Sequence, residues 1–279
     1  MERFWKAHGL GNDYLVWSDG LLSQSNEMTP ERVVQICDRH RGLGSDGVLE
    51  PKRSSRADIG LQIWNPDGSK AEKSGNGIRI FAWWWAVEQN KVKGTSAFTI
   101  DTGTDVVSCM VDRETGMVDV EMGGATFEPL EIPTIEKVWG RSIDMPNGTH
   151  LVAYTMGIGN PHCVVFLEDA HTFGELPWRE WGAYLERHPL FPNRINVQFA
   201  NVIDRETIEI RIWERGAGET SASGTSSCAV ACVSHKLGKV DAKVEMKMPG
   251  GVLKVEIDST WCVRLYGPVK GVANMETHL

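Results

Sequence analysis

The sequence predicts an α+β fold on three observations. Short apolar or alternating runs that read as strands outnumber helix-like stretches, and several of them adjoin in hairpin order. A Ser-Gly junction leading into an apolar helix also occurs twice, at Ser74 and Ser223, about half a chain apart. This repetition predicts two similar halves, each with a central helix whose first turn follows a serine.

In chain order, strands are expected at 4–7, 14–17, 59–64, 97–101, 105–111, 118–122, 151–156, 163–166, 196–202, 207–213, 243–248, 251–257 and 260–266. Helices are expected at 30–38, 75–90, 178–187 and 224–237. The second of these opens the stretch AEKSGNGIRIFAW (71–83). A charged run meets Ser-Gly-Asn-Gly, which suits a turn and a helix start, and nothing then breaks the helix before Asn90. Ser74 at that junction would either cap the helix or face a ligand held by the N–H groups of the first turn. The stretch ETSASGTSSCAVA (219–231) repeats the pattern, its apolar run ending near Gly238. Residues 128–147 contain Pro129, Pro133 and Pro146 with little periodicity, and are read as the link between halves.

Composition narrows the function classes. The 279 residues are 41% hydrophobic and 24% charged, as in an ordinary globular protein with room for two cores. Lys and Arg number 29 against 37 Asp and Glu, a formal charge of -8, which gives no general electrostatic basis for binding nucleic acid or an anionic membrane. The N-terminal MERFWKAHGLGNDY lacks the basic-then-apolar order of a signal peptide, and no apolar run approaches the ~18 residues of a membrane span, so a cytoplasmic location is expected. Six scattered cysteines without CxxC spacing read as buried thiols, not as a zinc ribbon or a disulfide framework. The histidines at 150, 171, 188, 235 and 278 show no ligand spacing, and His8 and His40 read as structural; no metal is predicted.

The segments HGLGNDY (8–14), DRHRGLGSDGV (38–48), WNPDGSKAEKSGNGIRIFA (64–82), GIGNPHCVVF (157–166), RINVQFANV (194–202) and WERGAGETSASGTSSCAVA (213–231) together resemble the diaminopimelate epimerase family, in the family's order from residue 4 to about 240. The resemblance implies two pseudo-symmetric α/β barrel domains, each with strands wrapped round a central helix and the active site in the cleft between them. It places the domains at 1–127, completed by 268–279, and at 128–267. It implies a cofactor-independent isomerase moving a proton at an amino-acid α-carbon, most directly LL- to meso-diaminopimelate in a lysine and cell-wall precursor pathway. The expected partner is a small amino-acid substrate, with a possible homodimer, no nucleic acid and no membrane. Related folds catalyse other racemisations, dehydration or double-bond migration. A catalytically silent amino-acid-binding protein, or one whose serines were introduced to trap substrate, stays open.

In that family two cysteines face opposite sides of the substrate; the matching positions here are Ser74 and Ser223. A thiol needs a shift of only one or two units from about 8.5 to act near neutrality. A hydroxyl ionises near ~15.7 and a helix dipole lowers that by about 1.5 units, which leaves roughly 7 units, or about 10 kcal/mol, at pH 7. Each serine therefore needs a neighbouring base. His162 in GNPH and Glu214 in WERG, which the resemblance puts near the reacting centre, are the candidates. Cys228 would lie more than one helical turn beyond the mouth at Ser223, away from it.

Gly75 and Asn76, and Gly224 and Thr225, occupy first turns whose N–H groups lack internal partners and would hold a carboxylate. The resemblance adds Asn12, Asn65, Asn160, Asn196, Glu214 and Arg215 around the far end of the substrate. Arg215 would grip a carboxylate with paired hydrogen bonds, while amide oxygens and Glu214 would accept from an ammonium. Gly47 stands where some members of the family carry a side chain that touches substrate.

Overall fold

The computed structural model describes residues 1–21, 27–71, 73–167 and 173–278; Glu72, His171 and Leu279, which enter the expectations above, lie outside them. In chain order the elements are β1 (Glu2–Gly9), β2 (Asn12–Trp17), α1 (Pro30–Cys37), β3 (Val48–Lys52), β4 (Ile59–Trp64), α2 (Gly75–Trp83), β5 (Thr95–Asp101), β6 (Val106–Asp112) and β7 (Met117–Gly124). There follow β8 (Trp139–Asp144), β9 (His150–Gly157), β10 (Pro161–Phe166), α3 (Trp178–Glu186), β11 (Asn196–Asp204), β12 (Thr207–Glu214), β13 (Gly218–Thr220), α4 (Gly224–Lys236), β14 (Lys243–Met248), β15 (Gly251–Ile257), β16 (Cys262–Pro268) and β17 (Lys270–Thr277). The chain divides into two compact units, Met1–Glu121 with Tyr266–Leu279, and Met122–Leu265.

In the first unit β17 lies antiparallel on β1 and β1 on β2. β2 runs parallel to β3 through only Leu15–Val48 and Val16–Leu49, and β4 to β5 through only Ile59–Ile100 and Gly60–Asp101. The hairpins β3–β4, β5–β6 and β6–β7 complete the ladder. α1 starts at Thr29, whose hydroxyl accepts from the Arg32 N–H, with Pro30 in the first turn where its missing N–H costs nothing. α1 contributes Val33 and Ile36 to a core with Phe4, Leu15, Trp17 and Val48. α2 is buried from Gly75 to Ala82 and packs on β1, β2 and β6. Ile78, Ile80 and Phe81 are fully buried, each contributing about 1.5–3 kcal/mol of transfer free energy.

The helix expected to reach Asn90 does so in two geometries, since Trp84–Gln89 is π-helical. The wider turn carries Trp84 inward, 5.5 Å from Phe81, and leaves Trp83 and Trp85 half-buried. Three consecutive tryptophans are thus accommodated with one of them in the core.

In the second unit β8 pairs with β9, β9 with β10, β10 in parallel with β11, and β11 with β12. β12 takes β13 on one stretch and β14, in parallel, on another, and β14 pairs with β15. α4 is buried from Gly224 to Ser234, so its small residues are needed on every face. α3 covers a separate core of Trp178, Trp181, Leu185 and Phe199.

The two closed barrels implied by the resemblance are not present. Among the described residues the seventeen strands belong to one open sheet in a mixed α+β fold. Closure requires the last strand of a ladder to pair with the first. β7 takes β16 as a further neighbour, and the parallel joints of β2 with β3 and of β4 with β5 run through two residue pairs each, which offers little of the stagger a barrel needs. In the second unit, no pairing among the described residues joins β8 to β15. Phe127 instead stacks edge-on between Trp139 of β8 and Trp261 of the turn after β15, with centroids 5.4 and 5.1 Å away, and the Lys236 ammonium stands 4.0 Å from its ring.

Residues 128–147, read as a link, contain β8. Its alternation is short, and it is held by antiparallel partners His150–Gly157 that only the fold brings to it.

Candidate functional site

The first unit assembles Asn12, Ser74, Gly75 and Asn76. Ser74 is extended (φ -139°, ψ 110°), and its Oγ accepts from the Gly77 N–H at 3.0 Å, so it is a helix cap. The Tyr14 hydroxyl lies 3.2 Å from the same Oγ. A Cβ on Gly77 would sit 3.2 Å from both Ser74 Oγ and Leu49 Cδ2, so a larger residue would crowd the cap.

A directional chain of hydrogen bonds fixes the amides beside it. The buried Arg79 guanidinium donates to Asn76 Oδ1 at 2.6 Å and to the Gly75 carbonyl at 3.2 Å. Asn76 Nδ2 donates to Asn12 Oδ1 at 3.1 Å, and Asn12 Nδ2 to Asp46 Oδ2 at 2.8 Å. A cation at one end and a carboxylate at the other polarise both amides in one sense. Next to Asn12, burial alone would raise the Asp13 carboxyl, but Arg39 and Lys6, at 2.6 and 2.9 Å, hold it below the usual carboxylate range. Asn65 is engaged in its own turn, donating to Ser69 Oγ at 2.9 Å.

The second unit assembles Asn160, His162, Asn196 and Arg215. His162 is fully buried on β10, and its pKa is pushed down to about 3, chiefly by burial, with the positive charge of Arg215 acting the same way. Gln198 Nε2, a donor only, lies 3.0 Å from His162 Nδ1, so Nδ1 accepts and the proton sits on Nε2. That Nε2–H donates to Asn160 Oδ1 at 2.7 Å. Asn160 is therefore held by its oxygen, which leaves its NH₂ group as the end to offer a ligand acceptor.

Asn196 is used as a brace, donating to the Pro161 carbonyl at 3.0 Å and accepting from the Arg215 N–H at 2.9 Å. Glu214 ends β12 opposite Gly218. The turn it opens is held from below by buried Glu186 of α3, which accepts from Gly216 N–H at 2.8 Å and from Trp213 Nε1 at 3.0 Å.

Ser223, extended like Ser74, precedes α4 and makes no side-chain cap bond; Ser227 Oγ donates to its carbonyl at 2.8 Å. Gly224 and Thr225 follow in the buried first turn, where no carbonyl of the helix reaches their N–H groups. Among the described residues no group of three or more His, Cys, Asp or Glu is placed to hold a metal ion.

Sequence reasoning missed Tyr14, Arg79, Glu186 and Gln198. Arg79 carried a signal, as the one charge in an otherwise apolar helix. Tyr14 and Gln198 carried none, since each reads as one more strand residue.

The family profile described as diaminopimelate epimerase matches residues 4–128 and 154–269, well over half of the chain. The chain belongs to the diaminopimelate epimerase family. "Diaminopimelate epimerase 2" of Nostoc sp. is 43% identical to it over 98% of this chain and 95% of its own. "Diaminopimelate epimerase" of Synechococcus elongatus is 37% identical over 91% and 90%.

Among solved structures, a probable proline racemase from Agrobacterium radiobacter matches the whole chain and 93% of its own, with a TM-score of 0.74 at 16% identity. A hydroxyproline epimerase from Agrobacterium vitis matches 98% and 90%, with a TM-score of 0.71 at 14% identity. These two share the fold. Membership of the family makes the chain an enzyme, a diaminopimelate epimerase-like isomerase with a small amino-acid substrate. No described helix is long and apolar enough to cross a membrane.

Proposed function

We propose that the protein interconverts LL- and meso-diaminopimelate by cofactor-independent proton transfer at the α-carbon, with Ser74 and Ser223 at the positions where the family carries its thiols. The observation that carries the substrate assignment is 43% identity along almost the whole of both chains to the Nostoc protein of that name. In this reading the first turns at Gly75–Asn76 and Gly224–Thr225 bind the α-carboxylate and stabilise the charge that builds up on deprotonation. Asn12, Asn65, Asn160, Glu214 and Arg215 serve the remainder of the substrate, with Asn196 bracing Arg215, and residues 1–127 with 268–279 and 128–267 act as the two domains.

The part assigned to His162 follows from its surroundings. A buried neutral imidazole with both nitrogens engaged keeps Asn160 turned with its NH₂ outward, suited to a carboxylate. To act as a base it would have to exchange Gln198 or Asn160 for the substrate. Glu214, at the end of β12, is assigned proton transfer with Ser223 or acceptance from the substrate ammonium.

The test replaces both serines with cysteine and follows conversion of LL- to meso-diaminopimelate without added cofactor. Ser74→Cys with Ser223→Cys is expected to raise the rate, because a thiol ionises about 7 units below a hydroxyl. No conversion by either form would remove the substrate assignment.

A further inference from the structure

The proton gap at a serine hydroxyl calls for a partner group, and at Ser74 the structure places one. The Tyr14 hydroxyl is 3.2 Å from Ser74 Oγ, within hydrogen-bonding reach, although 60 residues separate the two in sequence. The ring is held in place. Tyr14 lies in β2, opposite Ala7 of β1, and is almost fully buried. A side chain at Gly47 would put its Cβ 2.7 Å from Tyr14 Cε1 and 2.3 Å from the Trp64 carbonyl oxygen, so the glycine gives the phenol its space. The Leu15 N–H donates to the Gly47 carbonyl at 3.1 Å and locks the two segments together.

Ser74 Oγ has two lone pairs and one hydrogen. The Gly77 N–H takes one lone pair, and the contact with Tyr14 uses the hydrogen or the other pair. A phenol ionises near ~10, between a hydroxyl at ~15.7 and neutrality, and so narrows the gap that a helix dipole leaves open.

We propose that Tyr14 is a positioning residue for Ser74, its phenol exchanging a proton with the serine hydroxyl while Ser74 exchanges one with the substrate α-carbon. This rests on the reading that Ser74 faces that carbon. In the removing direction the Cα–H bond breaks and its electron pair stays on the α-carbon, delocalised into the carboxylate. The Tyr14 phenol first gives its proton to water; the α-proton then joins Ser74 Oγ as the serine's own proton passes to the phenolate, which becomes the phenol again. In the returning direction Ser74 gives its proton to the carbanion and takes the phenol's, and water reprotonates the phenolate.

One serine serves one face of the α-carbon, which makes the idea separable from a structural role. Deuterium uptake is followed in heavy water from LL- and from meso-diaminopimelate separately, for the unaltered protein, Ser74→Ala, Tyr14→Phe, Ser74→Cys, and Tyr14→Phe in the Ser74→Cys background. The expected result is that Ser74→Ala and Tyr14→Phe slow uptake into the same diastereomer, Tyr14→Phe by about 10²-fold, and spare the other. In the Ser74→Cys background Tyr14→Phe then changes little, because a thiol needs no partner to ionise. If Tyr14→Phe slows both diastereomers alike, or slows the Ser74→Cys form as much as the serine form, its role is structural and the proposal is overturned. If Tyr14→Phe is without effect while Ser74→Ala slows one diastereomer, the proposal falls and the assignment of Ser74 stands. If Ser74→Ala is without effect, or the unaltered protein exchanges neither, the assignment of Ser74 falls first and the role of Tyr14 with it.

Discussion

Alanine at Ser74 and at Ser223 is the same chemical change at two helix starts, yet the structure predicts different stabilities. Ser74 Oγ accepts from the buried Gly77 N–H at 3.0 Å and contacts Tyr14, whereas Ser223 makes no side-chain cap bond. Ser74→Ala removes a cap and leaves an N–H in the first turn without its acceptor, a loss of about 1–2 kcal/mol. Ser223→Ala removes neither and is expected to fall within about 0.5 kcal/mol of the parent. Urea unfolding followed by tryptophan fluorescence, with m values unchanged, would read this as a lower midpoint for Ser74→Ala alone. Heating would show a drop of about 2–8 °C for that variant. Equal losses, or a larger loss at Ser223, would refute the view that the Ser74 hydroxyl is held by its own helix. Epimerisation should fail in both variants, so the pair also separates a folding defect from a chemical one.

Arg79→Met removes the cation that holds Asn76 and the Gly75 carbonyl; it is expected to raise KM for substrate at least tenfold and to lower stability by about 1–3 kcal/mol, checked by kinetics and urea unfolding. Gly47→Ala forces a Cβ to 2.3 Å from the Trp64 carbonyl oxygen and should cost about 1–3 kcal/mol, with loss of activity through Tyr14. His162 has a folded pKa near 3 against 6.5 for the ordinary group, so the unfolded chain binds the extra proton. Its contribution is present above about pH 6.5 and is lost as pH falls towards 3. His162→Gln should flatten that part of the stability curve, measured by unfolding at several pH values. Glu186→Ala should loosen the turn carrying Glu214 and Arg215 and raise KM more than it lowers kcat, since Gly216 N–H and Trp213 Nε1 lose their shared acceptor.

The four helices were legible because their apolar periodicity and their starts are local properties. The π-helical end of the second was not, because it answers to where Trp84 must pack. β3, β8, β13 and β17 escaped notice for a related reason, since the strand character of each comes from a partner, β4, β9, β12 and β1 in turn. The barrel expectation came from the resemblance, and strand-to-strand closure is not written in any single run.

At the site, Ser74 and its glycines stood out as a junction, and Asn12, Asn76, Asn160 and Asn196 as amides in turn-rich blocks. What each amide offers could not be read from type alone. Asn196 is consumed as a brace, and Asn160 is turned by a histidine tautomer that Gln198, 36 residues away, determines. Tyr14 beside Ser74 belongs to the same class of fact, visible only once β2 and the start of α2 are side by side.

Proton transfer at the α-carbon of diaminopimelate without a cofactor is tested most directly by incubating the purified protein with LL-diaminopimelate in heavy water and analysing the stereoisomers by chiral chromatography with mass spectrometry. The expected result is meso product carrying one α-deuterium, with little deuterium in the recovered LL form early in the reaction. Unchanged, unlabelled LL-diaminopimelate, or a product that has lost water, would contradict it.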